Sequence, residues 1–512
     1  MTARRTARPA GPTAGPGGGD AGSPDPVGAN EPAGDAAALA RWLTEQRWFA
    51  TPDPVAGGES GSGVIAMAAV ELETVPPVAI VVIDTAGGDR YQLLLPAAAA
   101  VETPPPAPAA SGRRAPGRAG RPTADLGSDP DALDALGRFV AEAATAANPA
   151  LGTVSGHWLP GAATLGEGRA RLLGAEQSNT SAVVGGSHVL KLFRRLQAGP
   201  HPELEVGRHL AAAAPGAPVA RLSGWYELAP AQGKVTVLGV VQELVPGALD
   251  GWSLVLGALA GDPGGLLHRL HDLGSALAAL HDALAQPAAT GATAADPAAP
   301  ESFGATPLGA EQVRQIVEGL ADEAARLLAT SIDRPAGLAP VVGRADQVAD
   351  LARSLAAAVG DDLGAAIRHH GDLHLGQTVV GPDGWVILDF EGEPNRPLAQ
   401  RRRRHSPLRD VAGMLRSIAY AAATHRRAAG VRLSPGWEPA ARAAFLDGYL
   451  ASVDPSLVPA SAVAIRRLLT LFELEKVVYE IGYEVAHRPD WVVLPVGGLR
   501  SLLDHHAPGS AS

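Results

Sequence analysis

The chain has 512 residues, of which 46% are hydrophobic and 19% are charged, and its formal net charge is −11. This length is enough for about two to four domains with buried cores. The acidic balance argues against non-specific nucleic-acid binding, which needs a basic surface. Cysteine is absent, so disulfides, thiolate zinc sites and a cysteine nucleophile are excluded.

Membrane and export signals are missing from the sequence pattern. No window reaches the roughly 18 to 20 consecutive apolar residues that a membrane span needs. The N-terminus carries arginines but no apolar core of a signal peptide. We therefore expect a cytoplasmic protein with neither a membrane nor a nucleic acid as its partner.

The first 150 residues are predicted to hold a tail and a small domain. Residues 1–34 are rich in proline, glycine and alanine without periodicity, which is typical of a disordered tail. Residues 35–150 form a predicted α+β cap domain with a disordered insertion at 102–130. Its predicted elements are helices over Asp35–Phe49 and 131–147 and strands at Val64–Ala69, Val78–Ile83 and Tyr91–Leu95.

The remainder divides into a strand-rich part and a helical part. Residues 151–247 alternate strand-like runs with one helix from Glu203 to Ala213, which predicts a mainly antiparallel sheet with a helix across it. Residues 248–505 show apolar residues at helical spacing. This helical part is interrupted by a loop insertion at 285–308 and by a polar stretch at 369–394.

The polar stretch HHGDLHLGQTVVGPDGWVILDFEGEP has the pattern of a hairpin. Two apolar runs, Thr378–Val380 and Trp385–Phe390, are joined by Gly-Pro-Asp-Gly, a strong turn sequence. Antiparallel pairing of these runs would bring Gln377 beside Asp389. Asp372 lies five residues before Gln377, on the loop that leads into the hairpin.

An aspartate, an amide five residues later and a second aspartate after a hairpin suit phosphoryl transfer. That reaction needs Mg²⁺ on hard oxygen ligands and a separate carboxylate to accept or orient the hydroxyl proton. We predict Asp372 as the base and Gln377 with Asp389 as the Mg²⁺ ligands. The alternative is that these residues are ordinary turn and hairpin-end polar groups.

This arrangement resembles the catalytic and metal-binding segments of protein-kinase-like phosphotransferases, and the resemblance implies a phosphate-binding lysine upstream, on a strand. VLKLF supplies Lys191, one of only three lysines in the chain. The alternative is an edge-strand lysine whose charged end reaches the solvent. A helix carboxylate should pair with this lysine; Glu203 and Glu205 are both available, and we predict Glu205.

The nucleotide is expected to contact two further segments. The turn sequence EQSNTSAVV stands where a loop over the phosphates should lie, with hydroxyl, amide and backbone donors at Ser178, Asn179, Thr180 and Ser181. VVQELVPG ends the predicted sheet before the helical part. Backbone groups of Glu243 and Val245 are predicted to receive the adenine there.

Taken together, HGDLHLGQ, LDFEGEP, EQSNTS and LKLFRRLQ resemble the maltokinases, which belong to the aminoglycoside-phosphotransferase-like branch of the protein-kinase-like superfamily. The resemblance implies a bilobal α+β fold with an antiparallel-sheet N-lobe, a helical C-lobe and an N-terminal cap. It also implies ATP- and Mg²⁺-dependent phosphorylation of maltose at C1, which feeds glycogen synthesis, and a possible trehalose synthase partner.

The C-terminal helix FELEKVVYEIGYEVAHRPDW is predicted to bind the sugar. Tyr479 and Tyr483 are four residues apart and share a face with Glu475, and aromatic rings beside a carboxylate suit a sugar. The family resemblance points to the same helix, with Lys476 and Glu480 on the neighbouring face. The alternative is an ordinary packed helix.

Several roles stay open at this stage. His374 is predicted to contact the reacting hydroxyl, or alternatively to anchor its loop. Glu391 is predicted on the substrate side, where it could support the metal or hold the loop. Asp410 is expected to cap a helix and anchor the catalytic loop, with a catalytic role as the alternative. The run Arg401–Arg404 is expected to be a solvated loop, with a role in partner binding as the alternative.

Two other functions remain possible from the sequence. The acceptor could be glucosamine, an aminoglycoside or another small alcohol. The chain could also be a catalytically silent kinase-like binding module, although such modules usually lose the lysine, the base or the metal aspartate.

Overall fold

The structure is a computed structural model. It describes residues 42, 43, 46, 48, 49, 64–97, 125–174, 179–261, 263–288, 302–329, 335–394, 396–429, 433 and 436–506. The predicted tail at 1–34 and most of the predicted insertions at 102–130 and 285–308 lie outside these residues.

Sixteen strands are present in the described residues. They are β1 Val64–Leu72, β2 Val78–Thr85, β3 Arg90–Pro96, β4 Thr145–Asn148, β5 Gly152–Trp158, β6 Arg171–Leu172, β7 Asn179–Val184, β8 His188–Phe193, β9 Arg195–Leu196, β10 Leu222–Ala229, β11 Thr236–Glu243, β12 Leu249–Asp250, β13 Thr306–Pro307, β14 Ala365–Ala366, β15 Thr378–Gly381 and β16 Gly384–Ile387.

The α-helices of the same residues are concentrated in the second half of the chain. They are α1 Pro130–Ala141, α2 Pro202–Ala213, α3 Gly251–Ala260, α4 Leu266–Leu284, α5 Ala310–Leu328, α6 Ala345–Val359, α7 Leu398–Arg401, α8 Leu408–Ala429, α9 Trp437–Ser452, α10 Ala462–His487 and α11 Val493–His505.

A four-stranded antiparallel sheet, in the order β1-β2-β3-β9, forms the cap region. The buried residues of β2 and β3 are mostly aliphatic, as expected for strands that are covered on both faces. The buried Gln92 side chain on β3 donates to the carbonyls of Phe193 (3.0 Å) and Leu238 (2.9 Å). This side chain therefore ties the cap sheet to β8, which carries Lys191, and to its neighbour β11.

The second sheet has seven strands in the order β4-β5-β10-β11-β8-β7-β6, with antiparallel neighbours. Helix α1 packs against it through buried Leu133, Leu136 and Phe139. The domain boundary predicted at residue 150 falls in the turn between β4 and β5, which pair with each other. Helix α1 thus shares its core with the seven-stranded sheet.

Helices α3 to α6 and α8 to α11 form the second lobe around one large apolar core. At the centre of this lobe, the 26-residue helix α10 packs against α6, α8 and α11. Its N-terminus is capped by the Ser461 hydroxyl, which accepts from the Val463 N–H (3.2 Å). This helix presents Glu475, Lys476 and Tyr479 towards the loop before β15.

The predicted bilobal α+β fold is confirmed, with an antiparallel-sheet lobe followed by a helical lobe. The hairpin pairs Thr378 with Ile387 and Gly381 with Gly384, as the Gly-Pro-Asp-Gly turn predicts. Among the described residues, no helix has the length and apolar character to cross a membrane.

Candidate active site

The hairpin brings Gln377 and Asp389 together, as the sequence predicts. The Leu388 N–H donates to the Gln377 carbonyl (2.9 Å), and the Gln377 Nε2 group donates to Asp389 Oδ2 (2.8 Å). The backbone pairing of β15 and β16 therefore fixes the amide and the carboxylate side by side. Two oxygen-bearing side chains are held at one end of a short, well-paired hairpin.

Asp389 has an unusual backbone conformation. Its φ angle is +67°, in the left-handed region that a residue with a Cβ atom adopts at a cost of about 1 kcal/mol or more. Glycine would meet this angle more readily, but glycine has no carboxylate. The surrounding fold thus maintains a strained angle that points an acidic side chain at Lys191.

Lys191 lies among three carboxylates. Its Nζ atom is 2.5 Å from Asp389 Oδ1, 2.7 Å from Glu391 Oε1 and 3.8 Å from Glu203 Oε2, and its side chain is 8% exposed. Burial alone would raise the pKa of Asp389, but the Lys191 ammonium outweighs it and holds this pKa below its ordinary value. Burial raises the pKa of Glu203, against the opposing effect of Lys191.

The helix partner of Lys191 is Glu203, and the prediction of Glu205 was wrong. Glu203 faces the sheet. Glu205 points to the other side of α2, because residues two positions apart in a helix project about 200° apart around its axis. Glu205 accepts two hydrogen bonds from Arg402 (both 2.7 Å) and one from Arg368 (3.3 Å). Its role is to attach α2 to the segment around α7.

The same cluster offers a set of oxygen donors for a cation. One carboxylate oxygen from each of Glu203, Asp389 and Glu391 lies within 4.8 Å of the others. The buried Oε2 atom of Glu203 accepts no hydrogen bond within the described part of the chain. Carboxylate and amide oxygens are the donors that Mg²⁺ prefers, so these residues and Gln377 fit a magnesium ion.

The loop that carries Asp372 is anchored by Asp410, as predicted. Asp410 accepts hydrogen bonds from the N–H groups of His370 (2.7 Å) and Gly371 (2.9 Å) and lies 3.1 Å from His281 Nε2. Burial would raise the pKa of Asp410, but the surrounding histidines and hydrogen bonds lower it well below its ordinary value. A buried, ionised carboxylate therefore fixes the loop from below.

Asp372 faces helix α10 through an ion pair with Lys476. The Lys476 Nζ atom donates to Asp372 Oδ1 (2.8 Å) and to Glu393 Oε1 (3.0 Å), and it lies 4.7 Å from the centre of the Tyr479 ring. Burial would lower the pKa of Lys476, but the two carboxylates raise it above its ordinary value. The lysine is therefore charged and held between Asp372 and Glu393.

Glu393 is a site residue that the sequence reasoning missed. Its side chain is 2% exposed and contacts Lys476, Arg396 and Arg409. Burial would raise the pKa of Glu393, but these cations hold it far below its ordinary value. A signal was present in the sequence, because Glu393 follows the predicted metal ligand Asp389 by four residues within EGEP.

The predicted sugar-binding helix contributes only part of its predicted set. Glu475, Lys476 and Tyr479 line a cavity together with Asp372, whereas Tyr483 does not line it. The Tyr483 ring instead stacks on His487, with ring centres 4.4 Å apart. The four-residue spacing placed the tyrosines on one helix face, but the cavity ends before the next turn.

The other predicted site residues are more structural. His374 begins a 3₁₀ turn at Leu375–Gln377, where its Nδ1 atom accepts from the Gly376 N–H (3.1 Å), and burial lowers its pKa. This geometry fits loop anchoring. Glu391 accepts from Asn179 (2.6 Å) as well as from Lys191, so it does not lie with the predicted substrate-binding residues. Its place in the carboxylate cluster fits the other predicted role, support of the metal.

The predicted nucleotide segments flank Lys191. Ser178 lies outside the described residues, while Asn179, Thr180 and Ser181 belong to strand β7 beside β8. The Thr180 hydroxyl accepts from Arg194 Nε (2.9 Å). At the end of β11, the Glu243 N–H already donates to the Arg221 carbonyl (2.8 Å), and Val245 follows in the connection towards α3.

The arginine run 401–404 is not the solvated loop that was predicted. Only Arg403 is exposed, and Arg404 is buried. Arg401 donates to the Glu391 carbonyl (3.0 Å) and to Gln197, while Arg402 pairs with Glu205. These arginines connect the segment after Asp389 to the sheet lobe. The partners Gln197 and Glu205 lie 204 and 197 residues away in sequence, so composition alone could not reveal them.

Comparisons with known proteins place this geometry in context. A family model described as the APH phosphotransferase enzyme family matches residues 169–450. A glucosamine kinase from Streptacidiphilus jiangxiensis is 30% identical over 397 residues, which cover 74% of this chain and 78% of that protein. A glucosamine kinase from Mycolicibacterium smegmatis is 27% identical over 350 residues, covering 65% and 79%.

Solved structures show the same fold. A glucosamine kinase in complex with glucosamine, ADP and inorganic phosphate superposes with a TM-score of 0.60 at 23% identity, covering 84% of this chain and 92% of that one. Another crystal form of a glucosamine kinase gives a TM-score of 0.57 at 24% identity, covering 85% and 90%. At these identities the likeness concerns the fold alone.

Proposed function

Since the chain belongs to the APH phosphotransferase enzyme family, we propose that it transfers a phosphoryl group from ATP to a hydroxyl of a small sugar. The observation that carries this proposal is the convergence of Lys191 with the Gln377–Asp389 pair, next to the loop that bears Asp372. Phosphoryl transfer needs a cation for the phosphates, oxygen ligands for Mg²⁺ and a separate carboxylate for the acceptor.

Asp372 is the proposed catalytic residue. Its carboxylate would accept or orient the proton of the acceptor hydroxyl as the new O–P bond forms. The backbone before it is held by Asp410, so the carboxylate is positioned before the acceptor arrives. His374 is the proposed anchor of the next turn, and any contact with the hydroxyl would go through its second ring nitrogen.

The phosphate side of the proposed site is built around Lys191. Its ammonium would hold phosphate oxygens in line with the acceptor, in competition with the three carboxylates that surround it. Gln377 and Asp389 are the proposed Mg²⁺ ligands, and Glu203 and Glu391 lie within reach. Mg²⁺, when bound, would neutralise charge on the phosphates.

The nucleotide would lie between β7 and the end of β11. Polar groups of Asn179, Thr180 and Ser181 are the proposed contacts on the phosphate side. The backbone at Glu243 and Val245 is the proposed contact for the adenine, with Val245 as the stronger candidate because the Glu243 N–H is already used.

We propose maltose as the acceptor, with transfer to its C1 hydroxyl. The motifs HGDLHLGQ and LDFEGEP support this choice. The cavity beside Asp372 supports it as well, because its carboxylates are already paired with cations and therefore suit a neutral sugar. The Tyr479 ring offers an apolar face for the sugar. A trehalose synthase partner remains a prediction.

Glucosamine is a second candidate acceptor. The two curated relatives with the reported identities are both named glucosamine kinase. An ammonium group would also find carboxylates at the acceptor side, namely Asp372, Glu393 and Glu475, provided that it could replace the cations already present there.

An acceptor panel separates these proposals. The purified protein is incubated with Mg-ATP and maltose, glucosamine or kanamycin, ADP release is followed, and products are identified by ³¹P NMR. We expect maltose 1-phosphate as the main product. Preferential phosphorylation of glucosamine would select the second candidate, and failure to bind Mg-ATP in a thermal-shift assay would indicate a silent binding module.

A further inference from the structure

The position of the Lys476 ammonium group at the acceptor side suggests a role in selecting the substrate. A primary ammonium here contacts two carboxylate oxygens, from Asp372 (2.8 Å) and Glu393 (3.0 Å), and lies over the Tyr479 ring (4.7 Å). Two carboxylates and an aromatic face are the features that bind a primary amine of a ligand. The lysine thus occupies a niche that an amine-bearing sugar could otherwise use.

The charges of the cavity wall are balanced only when Lys476 is counted. Glu475 Oε1 accepts from Arg396 (3.0 Å) and Arg409 (2.9 Å), and Glu393 contacts the same two arginines. Three carboxylates, including that of Asp372, therefore face three cations. Asp410 also lines the cavity, but its oxygens are directed at the loop backbone and a histidine.

The lysine is held firmly in this niche. Its side chain is 16% exposed, and the Glu393 carboxylate that it contacts is 2% exposed and fixed by the arginines. An amine-bearing acceptor would have to displace Lys476 or add an uncompensated positive charge beside it, and both carry an energetic penalty. A neutral sugar hydroxyl meets neither penalty.

We infer that Lys476 determines specificity by occupying, beside Asp372, the place that the ammonium group of an amino sugar would take. The enzyme then favours neutral sugars over their amino analogues. This inference rests on the proposed transfer to a sugar hydroxyl, and it extends that proposal by naming the residue that selects between the two candidate acceptor classes.

The test compares glucose with glucosamine, two sugars that differ in one hydroxyl and one amine, as competing ligands. Dissociation constants are measured by calorimetry with Mg-ADP present, for the wild type and for Lys476→Met, which keeps the length of the side chain but removes its charge. We expect the wild type to prefer glucose and the variant to shift the ratio towards glucosamine by about tenfold or more. Lys234→Met, at an exposed lysine, serves as the matched control and should keep the wild-type ratio.

Two results would overturn the inference. One is a wild type that binds glucosamine better than glucose; the other is a folded Lys476→Met variant whose ratio stays within about twofold of the wild type. If the variant does not fold, the ratio of the two dissociation constants of the wild type decides. Binding is measured without turnover, so a wild type that transfers phosphate to no sugar refutes the proposed function separately.

Discussion

Replacing Glu203 by glutamine is expected to impair the use of ATP more than the same change at Glu205. Glu203 Oε2 lies 3.8 Å from Lys191 Nζ, and both side chains are less than one tenth exposed. When Glu203 is ionised, the two unit charges attract at this distance by about 4 kcal/mol at an effective dielectric constant of about 20. Burial raises the pKa of Glu203 to about 7, so only part of this energy is present near neutral pH. Desolvation offsets much of this energy, and Lys191 keeps two other carboxylates, so we expect a net loss of about 1 to 2 kcal/mol.

This loss corresponds to a value of kcat/KM for ATP that is about 5- to 30-fold lower, measured by varying ATP at saturating acceptor. Glu205→Gln is the matched control, because its carboxylate is 23% exposed and pairs with Arg402 and Arg368 instead of Lys191. We expect the control to change kcat/KM by less than about threefold, because the partners of Glu205 are these arginines and not Lys191. An equal or larger effect at Glu205 would refute the assignment of Glu203.

Two further predictions concern the scaffold beneath the loop. Asp410→Asn should lower the free energy of unfolding, measured by urea titration, by about 2 to 4 kcal/mol. The reason is that the buried Asp410 carboxylate binds two backbone N–H groups and His281. An unchanged urea midpoint would contradict this. Burial lowers the pKa of His369 to about 4, so the unfolded chain takes up the proton at a higher pH than the folded chain does. As the pH falls from about 6.5, the free energy of unfolding should therefore decrease by up to about 1.4 kcal/mol per pH unit. His369→Phe should reduce that slope, and an identical slope would exclude His369 as its source.

Local sequence patterns predicted the hairpin and the polar pair at its open end. The Gly-Pro-Asp-Gly turn fixes the register, and register places Gln377 beside Asp389 without any knowledge of the rest of the chain. The approach of Lys191 could be predicted only from the kinase-like order of motifs, because 198 residues separate it from Asp389.

The features that the sequence could not show depend on contacts between segments that are distant along the chain. Glu203 and Glu205 occupy the same first turn of α2, and periodicity does not reveal which one faces Lys191. The left-handed backbone of Asp389 is likewise imposed by its surroundings. Arg402 pairs with Glu205, which lies 197 residues away in sequence. The run of four arginines therefore gave no sign that it would be partly buried.

The most direct test of the proposed phosphotransfer site is the turnover of Asp372→Asn. We expect kcat to fall by about 10² to 10⁴, because the proton acceptor is lost, while the dissociation constant for Mg-ATP measured by calorimetry stays within about threefold. Asp383→Asn, in the exposed hairpin turn, is the matched control and should keep wild-type turnover. Near-normal turnover of Asp372→Asn would contradict the account.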